Sequence, residues 1–532
     1  MMLEHEAQTL GFLDRVFDPG CMRSPQHIQT RKNIPYMTNH LPKLARSQAK
    51  FAQYLGSLLR QPQAGSRSTP PARICEEIPH AVGPVPSPGA VKDVVSRGMV
   101  FYIVANDENS FWAILESDRL MGTETVDFLV VGGGVVGISI ARELKHRFSD
   151  ARIALVEKEA ECGLHASGRN SGVIHAGFYY TADSLKAKFT RDGNRLLSEY
   201  CRQKKILVNP CGKLVVARNE TELPQLDELL RRGNANGVEL RSLTAAEAKA
   251  MEPRVKTFQR AIFSPLTATA DPVQVLLAMK QDALNEGVLI RQNAAYLGRE
   301  GDRVLTAAGD FKARFFVNAA GLYADRVARD FGFSEDYRIL PFKGIYLYSE
   351  EPAGSLKTNI YPVPDLRNPF LGVHFTLLVD GRAKIGPTAI PAFWREQYKG
   401  FSNFKFDEFA EILFRDLGLI FFSGFDFKRL AAEETLKYFR SRLVSLASEL
   451  LEGVRLEDYR HWGKPGIRAQ LLNIKTKKLE MDFVVQGDSH SLHVLNAVSP
   501  AWTCALPFAK HVCDQIERSR GKEQRVLETA KA

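Results

Sequence analysis

From Val126 onward, hydrophobic and polar positions fall into regular rhythms. The apolar run VDFLVVG (126–132) reads as a buried strand. VVGISIARELKHR (135–147) spaces its apolar residues as a helix does, and RIALVEK (152–158) reads as a second strand. Together they predict a βαβ unit. Farther on, GKLVVA predicts a strand, ELPQLDELLRRGNANG a helix ending on glycine, and AAEAKAMEP a helix stopped before proline. ARFFVNAAGLYADRVARDFG predicts strand, turn and helix. GIYLYSE, FLGVHFTLLVDGRAKIGPT and the FVV before Gln486 predict strands, with Asp380-Gly381 as a hairpin turn. Residues 400–455 read mostly as amphipathic helix. This order implies an α/β protein in which a parallel-sheet domain is interrupted by a mixed, largely antiparallel insertion.

The first 121 residues follow another pattern. RQPQAGSRSTPPAR and AVGPVPSPGAVK are rich in Pro, Gly and Ser and read as linker. LPKLARSQAKFAQYLGSLLR predicts one amphipathic helix, and MVFYIVAND a strand. Three readings stay open for this extension: a disordered segment, an organellar presequence, or sequence upstream of a natural start at Met121. No apolar h-region of a secretory signal is present near the first residues, which carry Glu4, Glu6, Asp14 and Asp18.

Composition adds bounds. The 532 residues suffice for two or three domains, and 45% hydrophobic with 25% charged residues is ordinary globular composition. A net charge of +10 is mild for this length. It suits acidic small molecules or an anionic membrane surface, and no basic run is dense enough to read as a nucleic-acid patch. The seven cysteines form no CxxC pair, which argues against a zinc site and fits a reducing compartment. No apolar stretch approaches the roughly 18 residues of a spanning helix.

The chemistry begins at Gly132-Gly133-Gly134-Val135-Val136-Gly137, which fits GxGxxG. The first glycine permits a tight turn, Gly134 lets backbone approach a pyrophosphate, and Gly137 lets helix and strand pack closely. The helix N-terminus offers N–H groups and a favourable dipole to phosphates. Glu157 ends the second strand about 20 residues on, where its carboxylate can accept from ribose hydroxyls and would repel a 2′-phosphate. Strand, glycines, helix, second strand and acid in register predict a dinucleotide site. The motif alone leaves FAD and NAD open.

HASGRNSGVIHAGFYYTADSLKAKF follows at His165, and its small residues let backbone lie against a flat cofactor. Here the chain resembles the FAD-dependent L-2-hydroxyglutarate dehydrogenases, within the D-amino-acid-oxidase-like flavoproteins. The likeness runs from about Val126 to the C-terminus and rests on strings in the family's order: NSGVIHAGFYY, SLKAKF, CGKLVVA, NAAGLYADR, LPFKGIYL, NIYPVPD, PFLGVHFT, GPTAIPAFWREQY, PGIRAQ and LHVLNAVSP. It implies FAD as cofactor and oxidation of L-2-hydroxyglutarate to 2-oxoglutarate, with flavin N5 taking the C2 hydride. The implied fold is a Rossmann-type FAD-binding domain with an inserted mixed β-sheet plus helix substrate domain. The expected segments are 122–210, 300–340 and 456–520 for FAD and 211–299 and 341–455 for substrate, with 521–532 as a tail. It further implies an electron acceptor such as a quinone or electron-transfer protein. Peripheral membrane contact through 400–450 is compatible with the sequence, beside a solvated amphipathic helix. The implied location is cytoplasmic or peripheral at the inner membrane in a bacterium, mitochondrial in a eukaryote.

Oxidising a secondary alcohol needs a base for the hydroxyl proton, and histidine is the usual one near neutral pH. His374 is read as that base and His175 as lying beside the flavin, an ordering close to even. A dicarboxylate needs cations: Arg468 first, because guanidinium can hold a carboxylate by two parallel hydrogen bonds, then Lys343. Lys343 stands where family members often carry arginine. Tyr179 and Tyr361 are candidate hydroxyl donors. The expected FAD contacts are Gly132, Gly134, Val136, Gly137, Glu157, Ser167, Asn170, Ser171, Gly172, Ala319, Gly321, and the backbone N–H groups of Ala501 and Trp502. The sequence departs from the family at Trp502, where a small residue is expected, and at TCALPF. The indole there can crowd the flavin or turn outward. His461 and Trp462 read as packing residues, and Cys162 as a poor candidate for covalent flavin attachment. Rival readings are an amino-acid or amine oxidase, a non-catalytic FAD-binding protein and a nicotinamide dehydrogenase.

Overall fold

The βαβ unit forms where the hydrophobic pattern predicts it, and the remaining elements assemble beside it. The computed structural model describes residues 123–365, 372–422 and 427–531, preceded by β1 (Val91–Ser96), β2 (Met99–Asn106) and β3 (Asn109–Ala113). These three strands form a sheet in that order, and β2 is the strand expected in MVFYIVAND. The helix expected at 41–60 lies outside the described residues.

In chain order there follow β4 (Glu124–Val131), α1 (Val135–Arg147), β5 (Ile153–Val156), α2 (Leu185–Gln203), β6 (Lys213–Val216), β7 (Phe311–Asn318), β8 (Tyr337–Gly344), β9 (Asn359–Pro362), β10 (His374–Leu377), β11 (Gly466–Asn473), β12 (Ser491–Asn496) and α3 (Ala501–Lys531). Leu289–Arg291, β5, β4, β7 and β12 lie parallel in that spatial order. A hairpin of Tyr296–Glu300 and Arg303–Thr306 runs along the start of β7, and Val484–Gly487 pairs antiparallel with β12. Such strands are covered on both faces, so they read as continuous apolar runs. α1, α2 and α3 share one cluster, in which Ile138, Leu144, Phe189, Leu197, Phe508 and Val512 are buried. Burying a side chain such as Leu144 or Phe508 contributes roughly 1.5–3 kcal/mol. The opposite face packs Leu129, Ala154, Phe316 and Val327.

A second sheet of eight strands runs His461–Trp462, Leu347–Tyr348, Ala383–Gly386, β10, β9, β6, Arg260–Ser264, Arg241–Thr244. Its β9–β6 pair is parallel and its other pairs are antiparallel. The hairpin turn at Asp380-Gly381 joins β10 to Ala383–Gly386, as expected. A smaller sheet sets Ile390–Pro391, β8, β11 and Lys478–Leu479 side by side. The stretch 400–455 is helical over Phe406–Phe422, Phe427–Thr435 and Arg440–Ser448.

One expectation fails here. His461 and Trp462 form a short edge strand beside Leu347–Tyr348 and are exposed rather than packed. His461 reaches Glu350 at 3.3 Å.

Candidate active site

The glycine turn shows why its residues are glycine. Gly132 holds φ at +112°, and a Cβ there would sit 2.4 Å from the Ala319 carbonyl oxygen on the neighbouring strand turn. A Cβ on Gly137 would lie 2.0 Å from the Gly132 oxygen, so any side chain would push α1 off the turn. The carboxylate of Glu157 is fixed by two backbone donors, Gly133 N–H at 2.7 Å and Glu159 N–H at 2.9 Å. The first amide of α1, on Val135, donates to Ser167 Oγ at 2.9 Å, which ties the following loop to the helix N-terminus. Asn170 shapes that loop by donating to the Ser167 carbonyl and accepting from Gly172 N–H, at 2.7 and 2.8 Å.

These elements wall a cavity of about 1080 Å³. Gly132, Gly134, Val136, Glu157, Ser167, Asn170, Ser171, Ala319, Gly321, Ala501 and Trp502 all line it. Gly137 and Gly172 do not; they support the turn and the loop from behind. α3 begins at Ala501, and its Ala501 N–H is already bonded to the Val498 carbonyl at 3.0 Å. The Trp502 indole turns inward and is buried, with Nε1 lacking a partner among the described residues. The glycine turn, whose close backbone approaches leave no room for side chains, the helix N-terminus above it and the fixed Glu157 make the cavity compatible with a bound flavin dinucleotide. Cys162 does not line the cavity, and burial pushes its thiol up to about 11, away from the reactive thiolate.

At the far end the cavity meets a hollow of about 60 Å³, room for on the order of five water-sized groups. Ser171, His175, Tyr346, Pro387, Arg468 and Ser499 are among the residues common to both. Deeper in the hollow lie Lys186, Tyr361, His374, Glu434 and Gln470. Register explains the grouping. Ile360 pairs with Phe375, which sets Tyr361 across from His374, and Tyr361 pairs with Val215 two positions from Lys213. One sheet face therefore carries Lys213, Tyr361 and His374 together. The Lys213 ammonium lies 4.1 Å from the Tyr361 ring centroid and 3.4 Å from His175 Nδ1.

The two imidazoles are held differently. His374 Nδ1 lies 2.9 Å from the Gly372 carbonyl, so that nitrogen carries the proton and Nε2 is left as an acceptor. As an ammonium, Lys213 donates to His175 Nδ1, which leaves the proton of the neutral ring on Nε2. Burial, then Lys213, pushes both histidines well below the usual imidazole range, keeping them neutral at pH 7. The His175 backbone is clamped by Thr503 Oγ1 at 3.2 Å and by Asn194 Nδ2 at 3.1 Å. Arg468 Nη1 donates to the Thr388 carbonyl at 3.1 Å.

Burial pulls Lys213 down to about 7, and Lys186 and Lys384 down to about 8. None of the three pairs with a carboxylate among the described residues. Glu434 is committed to the Ala389 amide at 2.6 Å and to Lys437. The hollow is thus a cationic, imidazole-bearing pocket short of anions.

The structure brings His175, His374, Arg468 and Tyr361 to this hollow and leaves two expected residues elsewhere. Lys343 lies across from Ile467, while its neighbour Phe342 lies across from Arg468. Lys343 therefore points to the opposite sheet face from Arg468. Its ammonium sits 5.6 Å from the Tyr438 ring centroid. Tyr179 packs on Phe178 with ring centroids 4.2 Å apart, and its buried hydroxyl has no partner among the described residues. Neither residue lines the hollow. Lys186, Lys213, Tyr346, Gln470 and Ser499 were not anticipated. Lys213 had a signal: a lysine opens the otherwise apolar strand KLVV, where an inward ammonium needs a reason.

Fold and cavity define the class as a dinucleotide-dependent oxidoreductase with its reactive pocket against a second sheet. Residues 127–515 match the family described as FAD dependent oxidoreductase, and the chain belongs to it; its cofactor is FAD. The chain is 36% identical over 423 residues to human mitochondrial L-2-hydroxyglutarate dehydrogenase, covering 75% of this chain and 90% of the human one. It is 34% identical over 415 residues to L-2-hydroxyglutarate dehydrogenase of Escherichia coli K12, covering 76% and 97%. Its fold is shared with dithionite-reduced, FAD-bound L-α-glycerophosphate oxidase from Mycoplasma pneumoniae, at TM-score 0.59 and 22% identity, over 74% and 95% of the two chains.

Proposed function

We propose that this protein oxidises L-2-hydroxyglutarate to 2-oxoglutarate with FAD and passes the electrons to a separate acceptor. The observation that carries the choice of substrate is the hollow beside the dinucleotide cavity. It joins two neutral imidazoles to Arg468 and Lys186 and has no uncommitted carboxylate. A dianionic 2-hydroxy acid supplies the missing charge and the hydroxyl that a base must deprotonate. Segments 122–210, 300–340 and 456–520 contribute to FAD binding together with Leu289–Arg291 and Tyr296–Glu300, which the parallel sheet takes from the 211–299 stretch, and the rest of 211–299 with 341–455 forms the substrate side.

FAD, when bound, supplies the two-electron acceptor for the substrate C2–H bond. The chain supplies the rest. Arg468, at the junction of cavity and hollow, holds the carboxylate next to C2 and so orients it. His374 Nε2 accepts the hydroxyl proton. His175 Nε2–H donates to the oxygen at C2 and keeps that atom in place. Tyr361 holds the His374 ring flat, and Lys213 holds the His175 tautomer.

The acceptor is a quinone or an electron-transfer protein, and the helix Phe406–Phe422 contacts a bilayer surface. Phe406 and Phe414 are 73% and 74% exposed on one helical face with Leu417, although large apolar side chains in a row are normally covered. No helix among the described residues is long and apolar enough to cross a membrane. Flotation of the protein with anionic vesicles, lost in Phe406→Ser/Phe414→Ser, checks this contact.

Anaerobic titration of the FAD-loaded protein with L-2-hydroxyglutarate and its D-enantiomer tests the reaction. Bleaching by the L form alone is expected. Bleaching by amino acids instead would make the protein an amine oxidase, and no bleaching by any substrate would make it a non-catalytic flavin binder.

A further inference from the structure

Lys186 is the second residue of α2, yet its side chain runs inward and is only 6% exposed. It lines the deep part of the hollow with His374, Tyr361 and Gln470. Asp482 attracts the ammonium only from beyond ion-pair distance, and its carboxylate accepts from the amides of Leu185, Lys186 and Phe483 at 2.8, 3.0 and 2.8 Å. Those bonds cap the start of α2 and leave no ion pair to the Lys186 ammonium among the described residues. The nearest aromatic face, Tyr180, is 5.8 Å away. A buried ammonium without a counter-ion is costly, and a ligand anion removes that cost.

The two cations of the pocket occupy different depths. Arg468 lines both the dinucleotide cavity and the hollow, whereas Lys186 lines the hollow alone. The reacting carbon must lie within reach of Arg468, where the two spaces meet, and of His374, which lines the hollow. A carboxylate at the other end of a short chain then reaches inward, toward Lys186.

We propose that Lys186 is the specificity-determining residue that holds the distal carboxylate of a dicarboxylic substrate, dividing the two carboxylates between Arg468 at the junction and Lys186 within the hollow. The inference rests on the functional reading above and goes beyond it by assigning the second charge. It makes chain length and a terminal anion the selected features. A 2-hydroxy acid that ends in methyl leaves the ammonium buried and unpaired, which disfavours it as strongly as any lost contact. Lys186 touches no reacting atom, so its loss should change selectivity more than the chemical step.

The test uses FAD-loaded enzyme and reads flavin absorbance on adding glutarate or pentanoate, five-carbon acids with two carboxylates and one. In Lys186→Met and Lys186→Gln the Kd for glutarate should rise about 10²-fold. Pentanoate should shift less than about threefold, and Lys186→Arg should restore glutarate binding to within about tenfold of wild type. In turnover, the preference for L-2-hydroxyglutarate over L-2-hydroxypentanoate should fall by a similar factor. Equal losses for both acids, no loss for glutarate, or a wild-type protein that does not bind glutarate would each overturn the assignment. If wild type binds glutarate through Lys186 but L-2-hydroxyglutarate does not bleach it, the reaction is wrong and the dicarboxylate subsite stands.

Discussion

His374 lies face to face with Tyr361, their ring centroids 3.7 Å apart and their planes 20° from parallel. This stack follows from the β9–β10 register, and it fixes the plane of the imidazole whose Nδ1 is held by Gly372. A base so placed has one free nitrogen and little freedom to turn it away from substrate.

Replacing His374 by Ala should lower the single-turnover rate of flavin reduction by about 10²–10⁴-fold while FAD stays bound. His175→Ala should cost less, since that ring donates to the substrate oxygen and accepts no proton. Because burial holds His374 well below the ordinary value of 6.5, the acid limb of kcat/KM should fall below pH 6.5. Stopped-flow reduction by L-2-hydroxyglutarate across pH checks both. A normal rate in His374→Ala with a slow His175→Ala would exchange the two roles.

Arg468→Ala should raise KM by about 10²-fold or more through loss of the paired carboxylate. Arg468→Lys keeps the charge but not the planar fork, so it should recover only part of that loss. Steady-state kinetics with an artificial electron acceptor measure the split between KM and kcat.

Lys213 has a folded-state value of about 7 because it is buried, against 10.5 when exposed. Between those values the unfolded chain binds a proton that the folded chain does not. Folding stability from this residue therefore rises with pH from about 7 toward 10 and is lower on the acid side of that window. One proton corresponds to about 1.4 kcal/mol per pH unit. Lys213→Met should flatten the slope of stability against pH over this range, as read by urea unfolding of the holoenzyme at several pH values. It should also slow flavin reduction by freeing the His175 tautomer. An unchanged slope would mean Lys213 stays charged when folded.

Gly137→Ala forces a methyl into the Gly132 carbonyl, 2.0 Å from its ideal position. The turn must open, so the variant should lose FAD, purify with little yellow colour and melt at lower temperature. Flavin content per chain and thermal unfolding report this. A fully loaded variant would show that α1 can shift without losing the dinucleotide.

Arg395 and Asp325 form a two-pronged ion pair at 2.7 and 2.9 Å, with both side chains inaccessible to solvent. Arg395 also donates to the Leu322 carbonyl in the turn that borders the dinucleotide cavity. Arg395→Leu leaves the buried Asp325 carboxylate with only the Ile339 amide at 3.1 Å and Arg329 at 3.7 Å, and should destabilise the protein by about 3 kcal/mol. The paired change Arg395→Leu/Asp325→Leu should recover much of that, as a double-mutant cycle would measure.

Local pattern was a good guide where each residue's neighbours in sequence determine its state. Apolar runs and helical spacing placed β4, α1, β5, β6 and β7, because backbone hydrogen bonding and burial on both faces leave few alternatives for such segments. Gly132, Gly134 and Glu157 were legible since turn geometry and strand length place them relative to one another. The strings around His175, His374 and Arg468 marked them as chemistry, but could not say which way each side chain faced.

Facing was decided by the tertiary structure. Lys343 and Arg468 are both cations on paired strands, yet a one-residue offset in the β8–β11 register sends them to opposite faces. Lys213 and Lys186 stand far from His374 in sequence and reach it only through the β9–β6 pairing and the start of α2. By itself the sequence determined the dinucleotide turn, the order of elements and the residue types of the reactive pocket, since these rest on contacts within a few tens of residues. Only the folded chain decided which cations share the pocket and which proton each imidazole carries, because those depend on strand register and on desolvation by residues hundreds of positions away.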